Sequence, residues 1–86
     1  MELQQINIKH STFNIFPNPA HNIVTITGEN LKNISLADNS GRTVLTKVAG
    51  NNKSIEIEVG HLPKGVYLLS VTTTSGYTQS EKLVVE

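Results

Sequence analysis

The residues that could do chemistry are few, and their spacing does not assemble a catalytic or metal-binding set. The three histidines, His10, His21 and His61, have no metal-ligand spacing and no acidic neighbour at a fixed offset. Metal-ligating histidines usually come with groups that orient them, so surface or turn histidines are the better interpretation. Asp38, Ser40 and His61 carry the groups of a hydrolase triad, but no Gly-x-Ser-x-Gly elbow surrounds any serine. We therefore predict no catalytic residue, no metal and no cofactor.

Sugar chemistry has two candidate features, and both have a simpler interpretation. Glu56 and Glu58 lie two apart on one predicted strand face, whereas paired glycosidase carboxylates flank a cleft and come from separate elements. A carbohydrate-binding surface would need exposed rings. The chain has no tryptophan, and Tyr77 is the one aromatic residue that we predict to be an exposed platform. An appended adhesion or carbohydrate-binding module remains the alternative function.

The composition limits the partners and the domain count. The 86 residues suffice for one domain. Seven basic and seven acidic residues cancel, which argues against nucleic acid or an anionic membrane as the main partner. No apolar run approaches the length that inserts into a bilayer. The first residues do not resemble a signal peptide. If the protein is exported, we therefore expect this chain to be a fragment or to follow another segment.

Short segments rich in Val, Ile, Thr and Leu recur about every ten residues between turn residues, a pattern typical of β-strands. No window has a helical period. The predicted strands are Phe13–Phe16, Ile23–Thr27, Asn33–Ala37, Thr43–Val48, Ser54–Val59, Val66–Thr74 and Thr78–Val85. Seven short antiparallel strands with regular turns predict an all-β, immunoglobulin-like β-sandwich. The chain lacks the disulfide and the buried tryptophan that are typical of immunoglobulin domains.

Further details of the sequence refine this prediction. Ile55 and Ile57 alternate with glutamates, which is typical of a strand with one wet face. The run 66–69 is apolar at every position, so we place that strand centrally. Asp38–Gly41 and Ser75-Gly76 are predicted turns.

Residues 1–12 fit the strand pattern poorly. Ile6 and Ile8 alternate as in a short edge strand, but the segment is mainly polar. We predict that it is a linker or leader that precedes a domain over residues 13–86.

Three ordered segments carry a resemblance to a known family. They are Ile15-Phe16-Pro17-Asn18-Pro19-Ala20, the strand–turn–strand Ile34–Val44 with Gly41 in its turn, and Leu62-Pro63-Lys64-Gly65-Val66-Tyr67-Leu68-Leu69, followed by Lys82-Leu83-Val84-Val85. In order, spacing and total length the set resembles the C-terminal sorting domains of the type IX (Por) secretion system of Bacteroidetes-type bacteria. The predicted sorting-motif residues are Pro17, Asn18, Pro19, Gly41, Gly65, Tyr67, Lys82, Leu83, Val84 and Val85.

These residues also have structural roles that can be predicted without the resemblance. Pro17 and Pro19 fix φ and remove two N–H donors, so the chain must leave a ladder there and turn a corner. Gly41 and Gly65 suit left-handed turn positions. Tyr67 should bury its ring and find a partner for its hydroxyl.

The resemblance implies a role in export without catalysis. Such domains direct a covalently linked N-terminal cargo through the outer-membrane translocon, with its shuttle and sortase components, after a periplasmic stage. The cargo then reaches the cell surface or the medium. A purely structural spacer is a third reading, and it would have further chain after Val85. We also expect Lys82–Glu86 to lie at the edge or the end of a sheet with free N–H and C=O groups, where a partner could add a strand.

Overall fold

The computed structural model describes residues 13–86, which form seven β-strands and no helix. The strands are β1 (Phe13–Phe16), β2 (Ile23–Gly28), β3 (Leu31–Ala37), β4 (Thr43–Val48), β5 (Ser54–Glu58), β6 (Gly65–Thr73) and β7 (Thr78–Val85). All seven predicted strands are confirmed, and their bounds differ from the prediction by at most two residues. Residues 13–86 contain no helix that is long and apolar enough to cross a membrane. The linker predicted over residues 1–12 lies outside the described residues and stays a prediction.

The strands form two antiparallel sheets, one with the order β1-β2-β5 and the other with the order β4-β3-β6-β7. Most strands contribute alternate residues to the space between the sheets, because successive side chains of a strand point to opposite faces. β4 contributes only the half-buried neighbours Val44 and Leu45. The fully buried residues include Ile26 of β2, Leu36 of β3, Leu69 of β6 and Leu83 of β7. This arrangement confirms the predicted antiparallel β-sandwich. The glutamates of β5 are exposed while Ile55 and Ile57 are buried, as their alternation predicts.

β6 lies inside its sheet between β3 and β7, which confirms its central placement. The two faces of this strand are nevertheless unlike each other. Tyr67, Leu69 and Val71 are buried between the sheets, whereas Val66 and Leu68 point outward and are 45% and 48% exposed. The apolar run therefore marks an interior strand with one solvent-facing side. Its outer apolar residues form part of the surface described below.

The sandwich has two distinct ends. β6 and β7 are joined at one end by the predicted hairpin turn, where Gly76 has a φ of +89° and its N–H donates to the Thr73 carbonyl at 2.9 Å. We call this the far end. At the opposite end β6 begins at Gly65, which is paired with Val85 near the close of β7. This second end is the candidate site.

Candidate functional site

The corner predicted at Pro17 and Pro19 moves the chain from one sheet to the other. β1 pairs with β2 up to Phe16, and the peptide bonds before both prolines are cis. Four residues after Phe16, Ala20 forms a parallel bridge with Val85, on the outer edge of β7. Proline suits this path because it ends the first ladder by removing a donor. We call residues Pro17–Ala20 the strap.

The side chain of Asn18 holds the strap against β7 in the manner of a backbone peptide group. Its Nδ2 donates to the Lys82 carbonyl at 3.0 Å, and its Oδ1 accepts from the Val84 N–H at 3.1 Å. Ala20 continues the ladder: its N–H donates to the Val84 carbonyl, and its carbonyl accepts from the Glu86 N–H, both at 2.8 Å. Asparagine suits this position because one amide supplies both a donor and an acceptor.

The strap corrects the expectation of a free terminal edge. β7 is indeed the edge strand of its sheet. The outward groups of Val84, with the Lys82 carbonyl and the Glu86 N–H, are however already bonded to Asn18 and Ala20. Strand addition at Lys82–Glu86 would therefore have to displace the strap. The sequence could not show this, because no hydropathy pattern reports which side chain bonds a strand more than 60 residues away.

Tyr67 and Gly65 support this end from inside. The Tyr67 side chain is buried, and its hydroxyl donates to the Pro63 carbonyl, as predicted. Gly65 differs from its prediction. Its φ is +154°, outside the left-handed helical region, although still at a positive φ that side chains seldom adopt. Gly41 does take a left-handed turn conformation, with a φ of +91°.

The turn between β3 and β4 is organised by the Asp38 carboxylate. Its Oδ1 accepts from the Ser40 Oγ at 2.7 Å and from the N–H groups of Ser40 and Arg42 at 3.0 Å each. Its Oδ2 accepts from the Arg42 Nε at 3.2 Å. The hydrogen bonds from the Ser40 hydroxyl and the Arg42 N–H lower the pKa of Asp38. These are turn contacts, as expected, and His61 lies apart from them beside Leu45.

All ten predicted sorting-motif residues meet at this end, which we call the motif end. Register pairs Gly65 with Val85, Tyr67 with Leu83, and Leu68 with both Lys82 and Ala37. Two open hollows of about 410 and 360 Å³ flank Val66 and Tyr67, and the second brings Gly41 beside Lys82. The motif residues divide by exposure. Pro17, Asn18, Pro19, Gly41 and Lys82 are exposed, Gly65 and Val84 are half-buried, and Tyr67, Leu83 and Val85 are buried.

Sequence reasoning missed two exposed residues at this end. Val66 and Leu68 lie on the outer face of β6, beside Val84 and Lys82 of β7. The unbroken apolar run 66–69 includes both residues. The run alone does not show which face of the strand is covered by the second sheet. In the described part of the chain no group of three His, Asp or Glu side chains could hold a metal ion.

The family model of the secretion system C-terminal sorting domain matches residues 14–86. The chain belongs to this family. The match supports a C-terminal sorting signal for type IX secretion, and it implies links to a cargo protein and to the type IX machinery. It also implies secretion to the cell surface or the extracellular space, and it suggests a non-catalytic role.

The sorting domain also resembles a solved structure, that of CopC from Methylosinus trichosporium OB3b, with a TM-score of 0.55 and 18% sequence identity. The match covers 90% of the sorting domain chain and 94% of CopC. At this identity it shows the immunoglobulin-like sandwich fold alone. No curated protein matches the sorting domain in sequence.

The aromatic rings of the sorting domain do not form a sugar platform. Of the four rings, Phe16 and Tyr77 are 50% and 43% exposed, and Phe13 and Tyr67 are buried. Phe16 leads into the strap at the motif end, whereas Tyr77 lies in the turn at the far end. The two ends are separated by the length of β6, which rises about 3.3 Å per residue. Phe16 and Tyr77 are therefore too far apart to stack on neighbouring units of one sugar chain. The geometry therefore does not favour the carbohydrate-binding alternative.

The pH dependence of stability tests whether the charge of the Asp38 carboxylate stabilises the fold. Because the pKa of Asp38 is lowered in the folded state, its charge stabilises the fold above the ordinary carboxyl pKa of about 3.9, and the effect is lost as the pH falls through the lowered value. We expect Asp38→Asn to lower the melting temperature at pH 7 and to melt like the parent near pH 2. A difference that persists undiminished at acid pH would contradict a role for the charge.

Proposed function

We propose that the sorting domain is the export signal of a covalently linked N-terminal cargo, which it directs through the type IX outer-membrane translocon by way of the periplasm. Residues 1–12 serve as the linker to that cargo. One observation carries the proposal: motif segments that are spread along the sequence converge on one end of the sandwich. A receptor can contact them together there, and the domain itself performs no catalysis.

The motif residues play two different parts in this proposal. Tyr67, Leu83 and Val85 are buried, so they act by holding the motif end in shape. The surface that a translocon, shuttle or sortase component contacts consists of exposed groups around the two hollows. Leu68 and Lys82, which are paired across β6 and β7, lie at its centre. Exposed apolar side chains gathered at one site are a common mark of a protein interface.

Export of a reporter tests the proposal. Residues 13–86 are fused behind a periplasmic reporter protein in a host that has the type IX machinery, and surface protease accessibility is measured. We expect the fusion to reach the surface, the reporter alone to stay in the periplasm, and no surface delivery in a host without the machinery. Delivery in either of those two cases would refute the proposal.

A matched pair of variants tests the location of the contact. Leu68→Glu places a charge on the motif end. Val48→Glu makes the same change on the outer face of the same sheet, in the row Val48–Asn33–Thr72–Thr78 near the far end, where Val48 is 77% exposed. With melting temperatures unchanged, Leu68→Glu should reduce export strongly and Val48→Glu should not. Equal export of both variants would place the contact elsewhere.

A further inference from the structure

Within residues 13–86, no strand or side chain covers half of the β7 edge. In an antiparallel ladder the backbone groups of alternate residues point to one side. The strap bonds show that the even-numbered residues of β7 point away from β6, because the strap uses the Lys82 carbonyl and both backbone groups of Val84. By the same alternation Thr78 and Ser80 point outward, and no residue of the range 13–86 bonds their N–H or C=O groups. We call Thr78–Lys82 the open edge.

The open edge has a defined length because both of its ends are blocked. The strap begins beside Lys82 at one end, and the turn at Ser75-Gly76 closes the other. Two other edges, those of β5 and β4, carry protective features. Lys47 of β4 reaches across to the β5 edge and donates to the Glu56 carbonyl at 2.7 Å, and the ladder between β3 and β4 is broken by a register shift after Leu36. Both are known ways of preventing strand addition.

We propose that the open edges of two copies of this domain pair antiparallel about a two-fold axis at Ser80. This register places Ser80 opposite Ser80 of the second copy and Thr78 opposite Lys82 of the second copy. It provides about four backbone hydrogen bonds: two in the Ser80 pair, and one from the Lys82 N–H of each copy to the Thr78 carbonyl of the other. The Lys82 carbonyl is left out because it already accepts from Asn18. The result is one continuous sheet of two four-stranded halves.

Charge selects this register over its neighbour. With the axis at Ser80, Glu81 lies opposite Gln79 of the second copy, and no like charges oppose each other. Moving the axis by one residue to Glu81 would set Glu81 opposite Glu81, which is destabilising. The net charge of zero adds no general repulsion between the copies.

The blocked ends fit one another in the same arrangement. Where β7 of one copy reaches its strap after Lys82, the strand of the second copy has just ended at Thr78 and turns back at Ser75-Gly76. Each strand therefore stops where the other edge ceases to be available. An interface of this size belongs to the weak, reversible class, so the dimer should form at high protein concentration and dissociate on dilution.

Two proline variants test the pairing by analytical ultracentrifugation of the 86-residue chain. Ser80→Pro removes an outward N–H that β6 does not use, as proline permits at an edge. Thr46→Pro is its control, because Thr46 lies in the same row of the sheet at the opposite edge, through Ser35 and Ser70. Ser80→Ala controls for the hydrogen bond between the Ser70 and Ser80 hydroxyls. Ser80→Pro should weaken self-association by about tenfold or more, and the other two should leave it unchanged.

Disulfide crosslinking tests the same pairing without requiring that the strand tolerate a proline. The chain has no cysteine, so Ser80→Cys introduces a single thiol at the axis. The Cα atoms of a hydrogen-bonded antiparallel pair lie about 5.5 Å apart, within the range that a disulfide spans. Mild oxidation should convert Ser80→Cys to a covalent dimer and leave Thr46→Cys monomeric. A protein that is monomeric at about 1 mM, or equal crosslinking of both variants, would overturn the proposal.

Discussion

Replacing Tyr67 with alanine should lower the free energy of unfolding by about 3–5 kcal/mol, the range measured for buried aromatic side chains. The ring is 5% exposed and lies between the sheets on the interior strand β6, so its removal leaves a cavity in the core. A domain of this size has only about 5–15 kcal/mol in total. Urea denaturation measures the loss, and export of the variant should fall because part of the population is unfolded.

Tyr67→Phe is the matched control for the ring. It keeps the packing and removes only the hydrogen bond to the Pro63 carbonyl, which we expect to cost about 1 kcal/mol. Export of Tyr67→Phe should be close to normal. If the phenylalanine variant lost export while retaining its stability, the hydroxyl itself would be a recognition element, and the purely supporting role given to Tyr67 would be wrong.

Deleting Lys82–Glu86 should unfold the domain and abolish export together. The deletion removes Leu83 and Val85, which are 0% and 3% exposed, from the core, and leaves Asn18 and Ala20 without the strand that they bond. Large-to-small changes in a core cost about 2–5 kcal/mol for a residue such as leucine. With both side chains and the last part of the β7 ladder lost, the total approaches the whole stability of a small domain. Circular dichroism and thermal melting of the truncated protein measure the effect.

Lys82→Ala separates the two roles of this segment. Lys82 is exposed, and the strap uses its carbonyl rather than its side chain, so the variant should melt like the parent. Loss of export by Lys82→Ala would then identify the ammonium group as a contact. A truncated domain that still melts cooperatively near the parent temperature would contradict the structural account of the deletion.

Strands and their faces were predictable because they depend on local pattern. The alternation at Ile55 and Ile57 indicates which side chains point to the core, and turn residues such as Gly76 mark where strands end. The hydroxyl partner of Tyr67 and the corner at Pro17 followed from the chemistry of single residues. Each of these predictions needed only neighbours along the sequence.

The sheet partners and the strap were not predictable in this way. The alternation of apolar residues shows which face of a strand is buried, but not which strand pairs with it. The local sequence therefore does not show that β5 pairs with β2 rather than with β4. The same limit hid the exposure of Val66 and Leu68, which depends on whether a second layer covers the sheet. Asn18 was noticed as a motif residue, yet its two bonds to β7 join residues 64 and 66 positions apart.

That separation also sets the order in which the signal can appear during synthesis. Asn18 leaves the ribosome before its two partners, which belong to β7, the last strand of this domain. The core likewise waits for Leu83 and Val85, and pairings between distant residues form slowly. A chain released before those residues are translated contains most of the motif sequence but cannot assemble the motif end. The surface proposed for recognition would therefore mark only chains in which β7 has been synthesised and folded.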